Sequence, residues 1–308
     1  MKLASDFTMP PFVRLQWVSD EIRDKYEPLL NKAKQVFPVL EKESVYHGLR
    51  KATTDSVLPE QLDEKTWHYL QKGCYVMPLK MVGTYNGMSN YHPQVIPGQR
   101  WHYYTCVADS LETAREFEEA DRTGDNIVLG SLLGYPKCCT EAYMKNSRLK
   151  YHDSVWQQAL LCDEEHIKKK EDNMISLKDI PWYNNALLRN LGLSLIFHSK
   201  DRIDCPHTEE VVLNWLKLAR ELKVSGLREL EMFLRMPMEW DCNKGIAYVR
   251  TPLFKVSYNS NMTIEKYVVR VDGTYFPEDA PKGNEYPWSE FWTTAARNGN
   301  RLEEDESE

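Results

Sequence analysis

Residues 245–260, GIAYVRTPLFKVSYNS, alternate apolar and polar side chains in two short runs broken at Thr251-Pro252, the pattern of paired strands joined by a turn. Residues 266–276, KYVVRVDGTYF, repeat it with Asp272-Gly273 as the turn. Upstream, residues 126–230 read as mostly helical. Further upstream the chain is mixed. Ile22, Tyr26, Leu29, Leu30 and Ala33 lie at helical spacing within residues 18–36, with Pro28 expected to kink or shorten that helix. A second helix is expected over residues 59–72. Residues 73–107, rich in Gly, Pro, Tyr and β-branched residues, favour strands and turns, and Ser110 reads as the N-cap of the helix that follows. The expected fold is therefore α+β: a mixed N-terminal region (1–125), a helical central region (126–231), a β-rich C-terminal region (232–300) and a disordered acidic tail (301–308).

The composition fits a folded chain. Of 308 residues, 42% are hydrophobic and 28% charged, which excludes a disordered polymer. Seven cysteines, an odd number, cannot all pair internally. The chain has no apolar run of membrane-spanning length, and MKLASDFTMPPF lacks the apolar stretch of a secretory signal. No membrane association and a reducing, cytoplasmic setting are expected, where thiols are packed, metal-bound or reactive. The net charge of -7 argues against non-specific duplex binding. Part of that acidity sits in Glu303, Glu304, Asp305, Glu306 and Glu308, so the body is close to neutral and a local basic groove is not precluded.

The cysteines carry the most chemistry. In residues 129–146, LGSLLGYPKCCTEAYMKN, Gly134-Tyr135-Pro136 ends one helix and starts another. Cys138 and Cys139 then fall in a first turn, where free N–H groups and the helix dipole favour a thiolate. Adjacent positions on a helix diverge by about 100°, so one sulfur is expected to face a site and the other the core; burial of both as small hydrophobes is the alternative. In residues 189–222, an apolar run of Leu191, Leu193, Leu195, Ile196 and Phe197 ends at His198. A polar loop with Asp201, Asp204, Cys205 and His207 follows, and Thr208 with Glu209 and Glu210 opens an amphipathic helix. No C-x2-C pair occurs.

These two blocks resemble an uncharacterised archaeal and bacterial family in which Leu-Leu-Gly-Tyr-Pro-x-Cys-Cys precedes Leu-Gly-(Leu/Ile)-Ser-Leu-(Leu/Ile)-Phe-His, then x-Pro-Cys, three residues, Cys, x, x, Ser. The matching residues are Leu132 to Cys139 and Leu191 to His198, with Cys205 at the second cysteine and Thr208 at the serine. Asp201 replaces the first cysteine and Lys200 its preceding proline, which departs from an all-thiolate site.

If the blocks meet, Cys138, Cys139, His198 and Cys205 are candidate ligands for zinc or another divalent metal. The same groups with Asp201 are candidate catalytic residues: a thiolate nucleophile, His198 as general base and Asp201 orienting it. Tyr135, Asn185 and Arg189 are candidate substrate contacts, Arg189 through phosphate or carboxylate recognition. Trp101-His102-Tyr103-Tyr104 and Tyr91-His92-Pro93 offer stacking groups. The absence of P-loop, G-x-G-x-x-G, G-x-S-x-G and H-E-x-x-H patterns disfavours a P-loop ATP site, Rossmann NAD chemistry, serine hydrolysis and zincin proteolysis.

In size and Tyr/Trp-rich make-up the chain is also similar to bacteriophage enzymes that hypermodify thymine in DNA. Among these, an amino acid:DNA transferase, which joins an amino acid to a phosphomethylated thymine-type base, is most compatible. That resemblance implies a group-transfer enzyme acting on a nucleotide or DNA base in the host cytoplasm, the base being extruded into an aromatic pocket. A non-catalytic, metal-stabilised protein-binding module is the alternative.

Overall fold

The computed structural model describes residues 12–84, 92–149, 154–170, 174–196, 198–242, 245–259 and 269–270. It is an α+β structure with two sheets. The larger sheet has the order β10-β1-β9-β8-β7-β6-β5. It comprises β1 (Phe12–Trp17), β5 (Ile167–Lys169), β6 (Met174–Leu177), β7 (Glu239–Asp241), β8 (Ile246–Arg250), β9 (Phe254–Asn259) and β10 (Val269–Arg270). Its neighbours are antiparallel except for β1 and β10. The sheet thus draws strands from the N-terminal, central and C-terminal stretches of the chain. The 245–260 run forms the β8–β9 hairpin, turned by Thr251, whose hydroxyl accepts from the Leu253 and Phe254 N–H groups. The Asp272-Gly273 turn and the acidic tail lie outside the described residues.

Helices cover this sheet because their apolar stripes match it. In α1 (Asp20–Ala33), Ser19 caps the Ile22 N–H, and Leu30 and Ala33 are buried. The helix continues through Pro28 and stops at Ala33, and α2 (Val36–Tyr46) starts afresh. The helix expected within 18–36 is thus α1, and Pro28 does not break it. A single core joins α1, α2, α8 (Pro206–Glu221) and α9 (Leu227–Leu234) to the sheet through Trp156, Phe233, Trp240 and Phe254. No described helix is long and apolar enough to cross a membrane.

The smaller sheet has the order β2-β4-β3, from β2 (Ala52–Val57), β3 (Tyr75–Gly83) and β4 (Trp101–Ala108). One core cluster joins it to Ala114 and Phe117 of α4 (Leu111–Thr123) and Leu132 of α5 (Asn126–Leu132); another joins it to Val45 of α2 and Tyr69 of α3 (Leu62–Gln71). Ser110 caps α4 by accepting from the Thr113 N–H, as expected from the sequence. His92 and Tyr104 pack ring to ring at 4.4 Å, with Lys80 over the Tyr104 ring, so these candidate stacking groups stack on one another.

The central region is less helical than its sequence suggests. After α6 (Lys137–Leu149) and α7 (Ser154–Leu160) come β5 and β6, and then residues 178–196 and 198–205 run through short 3-10 turns and irregular backbone. The Leu191–Ile196 run is no regular element: Gly192 turns left-handed at φ +81, and Leu191, Leu193, Leu195 and Ile196 are all buried. Its apolar character reflects burial on every side rather than one face of a helix or strand.

Candidate metal centre

Two helix starts meet at the cysteines, and each begins with proline. Gly134 takes a left-handed φ of +70 after α5, the Tyr135 N–H donates to the Gly130 carbonyl at 2.8 Å, and Pro136 leads into α6. Gly130 lets the helices close, since a Cβ there would lie 2.4 Å from Thr140 Oγ1. In the second start Cys205 is the N-cap of α8 and Pro206 its first residue, so this helix opens two residues before Thr208. Proline loses nothing at such positions, where the N–H has no helical acceptor.

The three sulfurs form a nearly equilateral triangle. Cys138 Sγ lies 3.9 Å from Cys139 Sγ and 3.8 Å from Cys205 Sγ, and Cys139 and Cys205 are 3.8 Å apart. Asp201 Oδ1 is 3.5 Å from Cys139 Sγ. Donor atoms of all four residues fall within 4.8 Å of one another. A tetrahedral zinc with bonds of about 2.3 Å to sulfur and about 2.0 Å to oxygen requires S···S edges of about 3.8 Å and S···O edges of about 3.5 Å. The donor set therefore fits one tetrahedral divalent ion. A polynuclear iron–sulfur cluster would hold thiolates farther apart, because several irons and sulfides stand between them.

This convergence corrects the expectation that Cys138 and Cys139 diverge. Side chains on a helix tilt toward its N-terminus, and in the first turn no preceding turn occupies that space. Both thiols therefore reach back over the helix end. Cys139 and Cys205 are buried, whereas Cys138 is partly exposed. His207, exposed beside it, brings Nδ1 to 3.5 Å from Cys138 Sγ.

The electrostatics describe crowded negative charge. The hydrogen bond with Cys139 holds the Cys205 thiol down at about 6, so Cys205 is the first thiolate of the group. Burial, then Asp201 and Cys205, push Cys138 up to about 12. The bond to Cys205 raises Cys139. A divalent cation relieves this repulsion and allows all three to ionise. Lys200, 5% exposed, donates to the Asn184 side-chain and backbone oxygens. Burial lowers its pKa to about 7, while the nearby Cys139 and Cys205 act to raise it.

His198 is not among the converging donors, which corrects its placement as a ligand. Its Nε2 lies 2.9 Å from Thr208 Oγ1, and that hydroxyl is 3.5 Å from Cys139 Sγ. The hydroxyl stands between imidazole and sulfur, so His198 does not touch a cysteine and does not deprotonate one directly. Burial, with Lys200 and Arg189 nearby, lowers the His198 pKa to about 3, leaving the ring neutral. With Cys139 ionised on a metal its sulfur could only accept, so Thr208 would then donate to Cys139 and accept from His198 Nε2–H. This is the outer support that orients metal ligands.

The remaining candidates separate. Tyr135 packs its ring against His198 at 5.1 Å. Asn185 is buried and structural: its amide donates to the Leu234 and Met236 carbonyls and its oxygen accepts from the Leu187 N–H. That contradicts a substrate-binding role, because the side chain is spent on the end of α9. Arg189 is buried, close enough to His198 and Lys200 to influence both. Asp163, His166 and Asp204 form a second acidic group, and Arg202 already pairs with both carboxylates there. That network pins the loop between Asp201 and Cys205.

In the sequence His207 reads only as a loop residue, Thr208 as a helix start and the serine position of the family pattern, and Lys200 as a departure from that pattern. Position beside Cys205 was the one available signal. No protein-family model, curated protein or solved structure matches the chain. Fold and site define an α+β protein with a thiolate-rich cluster of metal-binding geometry.

Proposed function

We propose that Cys138, Cys139, Cys205 and Asp201 hold one divalent metal, with zinc the best match to three thiolates and a carboxylate, and that the protein is a group-transfer enzyme working at this centre. The observation carrying the proposal is the thiolate triangle of tetrahedral size with one corner, Cys138, open to solvent. Four protein ligands would fill a tetrahedral ion, so on this reading the partly exposed Cys138 sulfur, rather than an open metal position, meets the substrate. Bound metal would supply charge stabilisation and keep thiolates ionised at neutral pH. Cys138 and His207 form the edge a substrate meets; Thr208 and His198 orient Cys139 from behind; Lys200 balances charge. The resemblance to phage thymine-modifying enzymes supports a nucleotide base as substrate, in a cytoplasmic setting, the specific reaction being attack of an amino acid's amine nitrogen on the methylene carbon of a phosphomethylated base, forming the C–N bond as the C–O bond breaks, phosphate departs and the amine loses a proton.

A second reading, a non-catalytic metal-stabilised module, is favoured by the way the cluster joins the starts of α6 and α8 to the irregular 198–205 loop. Metal analysis with and without chelator separates the two. Stoichiometric zinc, a folded metal-depleted chain and rapid alkylation of Cys138 by iodoacetamide support the enzyme; unfolding on chelation supports the module. Cys-to-Ser changes at 138, 139 and 205 should each lower bound zinc at least about tenfold, while Cys242→Ser leaves it intact; zinc content unchanged in all four rejects the metal centre. For the reaction, DNA carrying the phosphomethylated base is incubated with amino acids and digested to nucleosides. A new nucleoside carrying the amino acid in place of the phosphate, with matching release of inorganic phosphate, that Cys138→Ser abolishes supports the transfer, and an unaltered nucleoside profile rejects it.

A further inference from the structure

A cleft that the thiolate centre does not use opens where the loop after β6 faces the end of α9. It holds about 270 Å3, and its apolar wall includes Leu177, Ile180, Trp182, Met236 and Met238. A closed apolar cavity of about 150 Å3 holds a benzene ring, so this space takes one ring and a short chain. Its shape is fixed by the fold. Leu177 and Met238 belong to the main core, and Ile180, Trp182 and Met236 pack against it. The 3-10 turn at Trp182–Asn184 is tied to the end of α9 by the Asn185 amide, which donates to the Leu234 and Met236 carbonyls.

Three polar residues also line the cleft, Asp179, Asn185 and Arg235, and they differ in what they have left to bind. Asn185 is spent on the two carbonyls. Arg235 directs Nε and Nη2 to Glu231 Oε1 at 3.1 and 2.5 Å, so its charge is already matched. The Asp179 carboxylate has no hydrogen-bond or ion-pair partner among the described residues. It also stands on a left-handed backbone, φ +54, which glycine adopts freely and a residue with a side chain does not. The turn therefore gains nothing from a carboxylate at this position. Because α9 ends at Leu234 beside the cleft, the partial negative charge of its C-terminus adds to that of Asp179. The result is an apolar space with an unmatched negative group on its wall.

We propose that this cleft binds a small primary amine with an aromatic or apolar body, the ammonium donating to the Asp179 carboxylate and the body lying against Trp182, Met236 and Met238. An aromatic body suits the polarisable thioethers, and the ammonium suits the indole as well as the carboxylate. An anion fits poorly, since it would meet Asp179 while Arg235 is held by Glu231. The proposal rests on neither the metal nor the transfer reaction, so its failure leaves both untouched.

The test titrates the full chain by calorimetry at low salt with 2-phenylethylamine and with 2-phenylethanol, the neutral molecule of the same shape. The amine should bind saturably and at least about fivefold more tightly than the alcohol. Asp179→Asn, which tolerates the same left-handed backbone, should weaken the amine about fivefold and leave the alcohol unchanged. Trp182→Ala should weaken both. No saturable heat with the amine, equal affinities for amine and alcohol, or an amine affinity that Asp179→Asn leaves unchanged overturns the proposal. The Asp179→Asn comparison stands even if Trp182→Ala fails to fold.

Discussion

Thr208 shows how much one hydroxyl can organise. It is fully buried, touches both His198 and Cys139, and has a single proton to give. Thr208→Val keeps the shape and removes the hydrogen-bond bridge, so zinc affinity measured by chelator competition should fall about 10–100-fold. His198 makes a pH prediction. Its folded pKa is lowered to about 3 from the usual 6.5, so between these values the unfolded chain binds the extra proton. Stability is therefore lost as pH falls from about 6.5 toward 3, by up to about 1.4 kcal/mol per pH unit. His198→Gln should flatten that part of the denaturation profile relative to wild type; identical slopes would contradict a buried neutral imidazole.

Among the elements, the two proline-led helix starts bring the sulfurs together. The first, Gly134-Tyr135-Pro136, is marked locally and reads directly from the sequence, whereas the second opens at Pro206, two residues before the expected Thr208. The left-handed Gly134 is the hinge of the first start. Gly134→Ala must strain both the backbone and the contact with Arg50, and should lower stability by about 1–2 kcal/mol in chemical denaturation. Zinc affinity should drop with it, because Tyr135 and both cysteines ride on that turn. The helical expectation for residues 126–230 fails over 178–196, because complete burial of the leucines leaves no face to recognise, whereas the polar loop expected after His198 is present.

For the whole molecule, the larger sheet and its helices share one core to which every region of the chain contributes. Phe254 is fully buried between Trp17 and Phe233. Phe254→Ala should cost about 3–5 kcal/mol in a denaturant titration and, at a marginal total stability, leave little folded protein. If the loss were confined to the β8–β9 hairpin, hydrogen exchange would stay slow in α1 and α9, and the shared core would be refuted.

The sequence by itself determined the mixed α and β character, the β8–β9 hairpin, the Ser110 cap and the helix start at Cys138, because each depends on periodicity or on chemistry within a few residues. It also marked Cys138, Cys139, Asp201 and Cys205 as worth joining. Only the tertiary structure decided that both adjacent cysteines point into one site, that His207 rather than His198 stands at its edge, and that Asn185 is spent on α9. Those outcomes depend on where separate helix ends and a buried irregular loop meet in space, and side-chain direction across such a meeting has no signature along the chain.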